Sequence, residues 1–230
     1  MEKLIAENVA EIRARIARAA ERSGRTPDRI ALVAVTKYVL AELIRPVAAA
    51  GCCELGESRP QQLWEKAELL ADLPVRWHLI GHLQRNKVRR TLPLTVLIHS
   101  VDSRRLLAAI DQEAGDAGPV RVLLEVNVSG ESAKFGFQPD EIEPLLAELP
   151  NFANVSVRGL MCMAGLEGRP DDARREFAAL RQLRDRLQPA CPKGVVLDEL
   201  SMGMSGDFEA AIEEGATIVR VGSALFKGIL

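Results

Sequence analysis

The chain has 230 residues, 47% of them hydrophobic and 27% charged, with a formal charge of -2. That composition excludes a disordered chain, and the near-zero charge gives no reason to expect nucleic acid or another polyanion as a partner. The length leaves one or two domains open, because α/β barrels reach this size as single units.

The first element is an amphipathic helix. Ile5, Val9, Ile12 and Ile16 recur at alternating four- and three-residue steps, and Ser23-Gly24 closes the segment. Charges scattered among its apolar positions argue against a signal peptide or a membrane span, so a cytoplasmic protein is the expectation. Short apolar, β-branched runs then follow at 31–36, 52–55, 75–80, 96–101, 120–128, 155–161, 195–200 and 217–221. Between them lie segments of helical spacing with recognisable starts. Ser58-Arg59-Pro60-Gln61 has the form of a capping box, Pro139 and Pro170 are followed by acidic residues, and Asp207 precedes a helical stretch that Gly215 stops. Helical periodicity over 171–188 ends at Pro189.

Strands that alternate with helices imply parallel pairing, and runs apolar on both faces imply a sheet covered on both sides. Eight such units predict a closed (β/α)8 barrel with an extra N-terminal helix, the competing arrangement being an open doubly wound sheet. No linker or composition break divides the chain, so one domain over 1–230 is expected. The basic run Arg85 to Arg90 reads as a solvated helix face. His78 and His82 stand four apart, but on a strand running into a glycine turn that spacing gives no shared face, so no metal site is expected. Cys52, Cys53, Cys162 and Cys191 form no C-x-x-C pair and read as small core residues in a reducing compartment.

In a barrel of this type, chemistry gathers at the C-terminal ends of the strands. The residues closing the runs are Lys37, Gly56-Glu57, Gly81-His82, Asp102, Asn127, Met161 to Met163, Ser201 and Arg220-Val221-Gly222-Ser223. The segments "SMGMSGD" at 201–207 and "GSALFKG" at 222–228 combine hydroxyl groups with glycine after strands seven and eight, a common phosphate position in such barrels. A lysine in a partly buried site at the end of "ALVAVTKY" would have its pKa lowered by desolvation and become a nucleophile towards aldehydes. An amine beside a phosphate cradle points to a Schiff base with a phosphorylated carbonyl compound. Pyridoxal 5′-phosphate (PLP) and a class I aldolase substrate both fit, and Glu57 is the obvious acid for an aldolase.

The motifs "VAVTKY", "LGESRPQQL", "WHLIGHLQRNK", "SVDS", "VLLEVNVSGESAKFGF", "RGLMCM" and "LSMGMSGDFEAAIEEGATIVRVGSALF", in that order over nearly the whole chain, resemble the YggS/PROSC family of PLP-binding proteins, also called PLP homeostasis proteins. The resemblance implies a PLP barrel related to the N-terminal domain of alanine racemase, without that enzyme's second domain. It implies that Lys37 bonds the cofactor, that Arg220 faces the pyridine nitrogen, and that Ser201, Gly222 and Ser223 hold the phosphate. His82 and Lys134 are further candidates near the site. Where the family commonly carries Asn-x-x-Gln-Glu after the second strand, this chain has Ser58 and ends the motif in Gln62. The chain ends at Leu230, soon after its last motif, and a basic tail present in some relatives is expected to be missing.

Two-base racemisation needs a second acid/base, and the chain's one tyrosine, Tyr38, adjoins Lys37, where strand alternation would point it to the opposite face. An arginine at the pyridine nitrogen would weaken the ring as an electron sink. The expected function is therefore PLP binding and homeostasis without strong catalysis, with PLP-dependent apoenzymes as partners. No long apolar seam is visible, and a monomer is expected. A weak amino-acid racemase, with Lys134 or His82 as second base, and an aldolase-type enzyme are the alternatives.

Overall fold

The computed structural model of the chain describes residues 1–115, 118–131, 135–165 and 170–230. Eight parallel strands close a barrel in chain order: β1 (Ala31–Val35), β2 (Glu54–Glu57), β3 (Arg76–Leu79), β4 (Thr95–Val101), β5 (Val120–Glu125), β6 (Val155–Met161), β7 (Glu199–Ser201) and β8 (Ile218–Val221). β8 closes the ring on β1 in the register Val33 to Arg220 and Ala34 to Val221. This is the expected (β/α)8 barrel, not the open sheet.

The outer layer is α1 (Glu2–Arg22), α2 (Ala41–Ala49), α3 (Pro60–Leu69), α4 (Val88–Thr91), α5 (Arg104–Ala114), α6 (Ile142–Glu148), α7 (Pro170–Leu187) and α8 (Phe208–Glu213). The extra helix α1 buries the anticipated stripe of Ile5, Val9, Ile12 and Ile16. It is tied to α8 by Arg15–Glu209 and Arg22–Glu213 ion pairs at 2.6 and 2.7 Å. One heptad before Arg15 on the same face, Asn8 donates to the carbonyls of Leu225 and Lys227 at 3.0 Å each. No helix among the described residues is long and apolar enough to cross a membrane. No disulfide joins the four cysteines, and the run Arg85 to Arg90 is mostly exposed, with Arg90 lying over the Trp64 ring.

Four local expectations need correction. The second strand is Glu54–Glu57, because the Cys52 amide is spent on the Val47 carbonyl at the end of α2. The seventh starts only at Glu199: the Val195 amide closes a turn onto Pro192, and the Leu197 amide donates to the Gln188 side chain instead of a strand neighbour. β5 stops at Glu125, after which Val126 bridges to Phe137. Ser58 does not cap α3, whose N-cap is Arg59 with no side-chain bond. The Ser58 backbone instead passes so close to Gly81 that a Cβ there would meet the Ser58 oxygen at 2.3 Å.

The core has two shells. Most buried apolar side chains lie between the barrel wall and the helices, while Val33, Leu97, Leu123, Met161 and Ile218 form a separate cluster within the lumen. Strand alternation then places the residues two positions from these in the lumen too: Val35, His99, Glu125 and Arg220. In the outer shell, the fully buried Glu57 carboxylate accepts from Thr36 Oγ1 at 2.7 Å and from Lys66 Nζ at 2.5 Å. Lys66 also donates to the Thr36 carbonyl at 2.8 Å, so this group ties the end of β1 to α3. Lys66→Met strands the Glu57 charge, and the expected loss is about 3–5 kcal/mol of stability by urea denaturation. A loss below about 1 kcal/mol would show that the pair does not anchor β1.

Candidate functional site

Lys37 lies at the C-terminal mouth, just past β1. The strand ends at Val35, Thr36 is fully buried, and the Val39 amide closes a turn onto the Thr36 carbonyl at 2.9 Å. Lys37 is exposed rather than partly buried, because nothing in the turn covers it. Tyr38 occupies the left-handed region at φ 67°, rare for a residue with a side chain. The turn brings its ring centroid to 5.8 Å from Lys37 Nζ, so the two do not point to opposite faces as strand geometry would require.

The loops after β7 and β8 meet beside this turn. Gly222 approaches β1 closely, since a Cβ there would lie 3.3 Å from both Val35 Cβ and the Val35 carbonyl oxygen. The amides of Gly222 and Ala224 converge on one point, the Ser205 hydroxyl, at 3.1 and 3.4 Å. Gly203 turns the β7 loop at φ 90°, where a Cβ would come within 2.5 Å of Ala211 Cβ. Farther along that loop, Asp207 spends its carboxylate on the Met204 amide at 2.5 Å rather than on an amide of α8. Two amides meeting at one hydroxyl form a cradle of donors of the kind an oxyanion can share. Ser223 lies exposed within this loop. Ser201 is not part of it. As the last residue of β7 it is fully buried in the lumen, and the hydroxyl at the cradle belongs to Ser205. The sequence signal for Ser205 was its position in the loop proper, next to Gly206, whereas Ser201 still belongs to the strand.

Arg220 is buried in the lumen at 3% exposure. Its Nη1 donates to Ser201 Oγ at 2.6 Å and its Nη2 to the Cys162 carbonyl at 2.9 Å. Burial pulls its pKa down from the ordinary arginine value, while Cys162, Glu125 and Asp207 oppose that shift. Two of the guanidinium's donors are spent in this way, and the rest have no hydrogen-bond partner among the described residues. Ser201 also contacts His99 Nδ1 at 2.8 Å, His99 Nε2 meets His78 Nδ1 at 2.8 Å, and His78 Nε2 meets Glu54 Oε2 at 2.8 Å. Neither His99 nor the role of His78 in this chain was apparent from the sequence. Burial lowers the pKa of His78 to about 4 and that of His99 well below the ordinary value.

Other candidates take different places. His82 is partly exposed at the mouth, with Nδ1 2.9 Å from Asp102 Oδ2 and its ring stacked on Phe135 at 4.5 Å between centroids. Asn127 organises the loop beyond β5, donating to the Glu131 carbonyl at 2.8 Å and accepting from Ser129 and Gly130. Lys134 lies outside the described residues. Glu57, the acid that an aldolase needs, faces Lys66 in the outer shell. No cluster of three or more potential metal ligands occurs among the described residues.

Glu125 was not singled out from the sequence. It is 4% exposed, its side chain has no hydrogen-bond partner among the described residues, and its pKa is pushed up to about 7, first by burial and then by Asp102, against the pull of Arg220.

The fold and the mouth define the class: an alanine-racemase-type barrel. The family model for the alanine racemase N-terminal domain matches residues 8–229. A protein of Aquifex aeolicus named pyridoxal phosphate homeostasis protein is 43% identical over 96% of both chains. One of the same name from Pseudomonas aeruginosa is 41% identical over 96% of this chain and 94% of its own. The solved structure of PipY from Synechococcus elongatus with PLP bound superposes with a TM-score of 0.86 at 37% identity, covering 96% of this chain and 99% of that one. The chain belongs to the pyridoxal phosphate homeostasis protein family.

The Glu125 carboxyl sets a pH dependence. Between the ordinary value of 4.5 and about 7, the native chain keeps a proton that the unfolded chain gives up, so stability falls as pH rises through this window. In the cofactor-free protein, Glu125→Gln removes the penalty. By urea denaturation the variant is expected to match wild type near pH 4 and to exceed it by roughly 1–3 kcal/mol at pH 8. Equal stability at both pH values would contradict this.

Proposed function

We propose that this protein binds PLP at the barrel mouth through Lys37 and regulates its supply to other enzymes, with no strong catalysis of its own. One observation carries the reading: the Gly222 and Ala224 amides converge with Ser205 next to the end of β1, where Lys37 offers a primary amine. The donor set fits the cofactor. Ser205, Gly222, Ser223 and Ala224 would hold the phosphate, Lys37 the aldehyde carbon, and the unspent donors of Arg220 the ring nitrogen. When bound, PLP supplies an aldehyde that condenses reversibly with amines and a ring that withdraws electrons. Arg220 is a permanent cation and disfavours a proton on that ring nitrogen, which limits electron withdrawal and suits storage better than turnover. The names of the relatives and the PLP in PipY support the same reading.

The reading extends to release of PLP to apoenzymes, to a monomeric single-barrel protein and to the cytoplasm. A weak racemase has one observation in its favour, the His82–Asp102 pair at the mouth. It would be marked by deuterium entering the α-position of alanine in D2O, with loss of that exchange in His82→Gln.

Purified protein mixed with PLP is expected to show a visible Schiff-base band that borohydride fixes covalently to Lys37, located by peptide mass mapping. Lys37→Ala is expected to lack both the band and the adduct. Absence of any band in the wild-type protein would overturn the assignment. At the phosphate end, Ser205→Ala is expected to weaken PLP binding about tenfold while leaving pyridoxal binding unchanged. An equal effect on both ligands would remove Ser205 from the cradle.

A further inference from the structure

We propose that Glu54, His78 and His99 are positioning residues that act through Ser201 to hold Arg220 in the orientation in which it meets the cofactor ring. The proposal rests on the assignment of PLP to the mouth. Its basis is a line of contacts across the lumen, from β2 to β8: Glu54, His78, His99, Ser201 and Arg220, each contact between 2.6 and 2.8 Å.

With both rings neutral, the carboxylate end determines where the protons lie. Arginine only donates and a carboxylate only accepts. Ser201 Oγ therefore accepts from Arg220, and because the Glu54 end leaves His99 Nδ1 without a proton, the Ser201 hydrogen goes there. His99 then carries its proton on Nε2 and donates to His78 Nδ1. His78 in turn carries its proton on Nε2 and donates to Glu54 Oε2. Reversing the direction would set a His78 lone pair against the Glu54 carboxylate. Both rings are then Nε2–H tautomers, their neutral state being set by burial. The Glu54 charge is balanced at the rim by an ion pair with Arg76, through its other oxygen.

The line ends on arginine, which does not give up its proton, so it does not deliver protons to the site. What it does is fix the Ser201 hydroxyl, which would otherwise rotate, with a lone pair aimed at Arg220 Nη1. With Nη2 held by the Cys162 carbonyl at 2.9 Å, the guanidinium plane is fixed at two points. Neutral imidazoles achieve this without placing a second positive charge beside Arg220.

Two measurements test the proposal. The first is 15N NMR of the histidine ring nitrogens in the cofactor-free wild-type protein. His78 and His99 are expected to be neutral with the proton on Nε2, and a protonated ring or an Nδ1–H tautomer at neutral pH would overturn the proposal. The second compares wild type, His99→Phe and His99→Asn, using PLP as the probe. His99→Phe is expected to bind PLP about tenfold more weakly and, at saturation, to show altered visible circular dichroism of the bound cofactor. His99→Asn, whose amide oxygen can accept from Ser201, is expected to recover most of the signal. Wild-type affinity and dichroism in His99→Phe would overturn the positioning role while leaving the PLP assignment intact. Failure of the wild-type protein to bind PLP would overturn the assignment and this role with it. The wild-type NMR measurement needs no variant, so a His99→Phe protein that does not fold does not remove the test.

Discussion

A guanidinium buried inside a barrel is the constraint around which the lumen is arranged. A cation taken out of water is strongly unfavourable unless partners replace its hydration. Arg220 meets that requirement with Ser201, with the Cys162 carbonyl and with the field of Glu125 and Asp207. Satisfying Ser201 requires an acceptor, satisfying that acceptor requires another, and the sequence of demands ends only at Glu54, where a carboxylate reaches the rim. The polar line across the lumen follows from the buried guanidinium. The same charge bears on Glu125: Arg220 pulls its pKa down, but burial and Asp102 outweigh that pull and hold it at about 7.

The mouth and the lumen divide the work. Inside, positions are held by burial and directed hydrogen bonds, as suits a group that must keep one orientation. Outside, Lys37 stands on an exposed turn anchored from below by the buried group of Thr36, Glu57 and Lys66. An accessible amine on a firm base suits a ligand that must arrive and leave. The cradle is likewise accessible, because its two amides are met by a hydroxyl, which an arriving oxyanion can join or displace. In physical terms, this is a barrel with an exposed amine at its mouth and a buried guanidinium in its lumen.

The alternation of apolar runs with helical segments was enough to read the closed barrel, and the strand-end rule brought Lys37, Gly222 and Arg220 to one end of it. Signals tied to local spacing were dependable where burial enforces them, as in the α1 stripe. They misled where tertiary contacts compete. Ser58 looks like a cap but lies under Gly81, and the apolar run at 195–198 is held in a turn by Pro192 and Gln188. The buried line was not legible because its partners are remote in sequence: His78 and His99 are 21 residues apart, and His99 and Ser201 are 102 apart. By residue type alone Ser201 suits a phosphate ligand. The register of β7 turns Ser201 inward, and the hydroxyl that the Gly222 and Ala224 amides meet is that of Ser205.

The central claim is that open mouth and closed lumen meet on one ligand. A crystal structure of the protein with PLP tests it most directly. The account predicts the phosphate on the amides of Gly222 and Ala224 with the Ser205 hydroxyl, Lys37 bonded to the aldehyde carbon, and Arg220 facing the ring nitrogen with its contacts to Ser201 and Cys162 unchanged. A phosphate bound elsewhere, or an Arg220 that has released Ser201 to reach the ring, would contradict it.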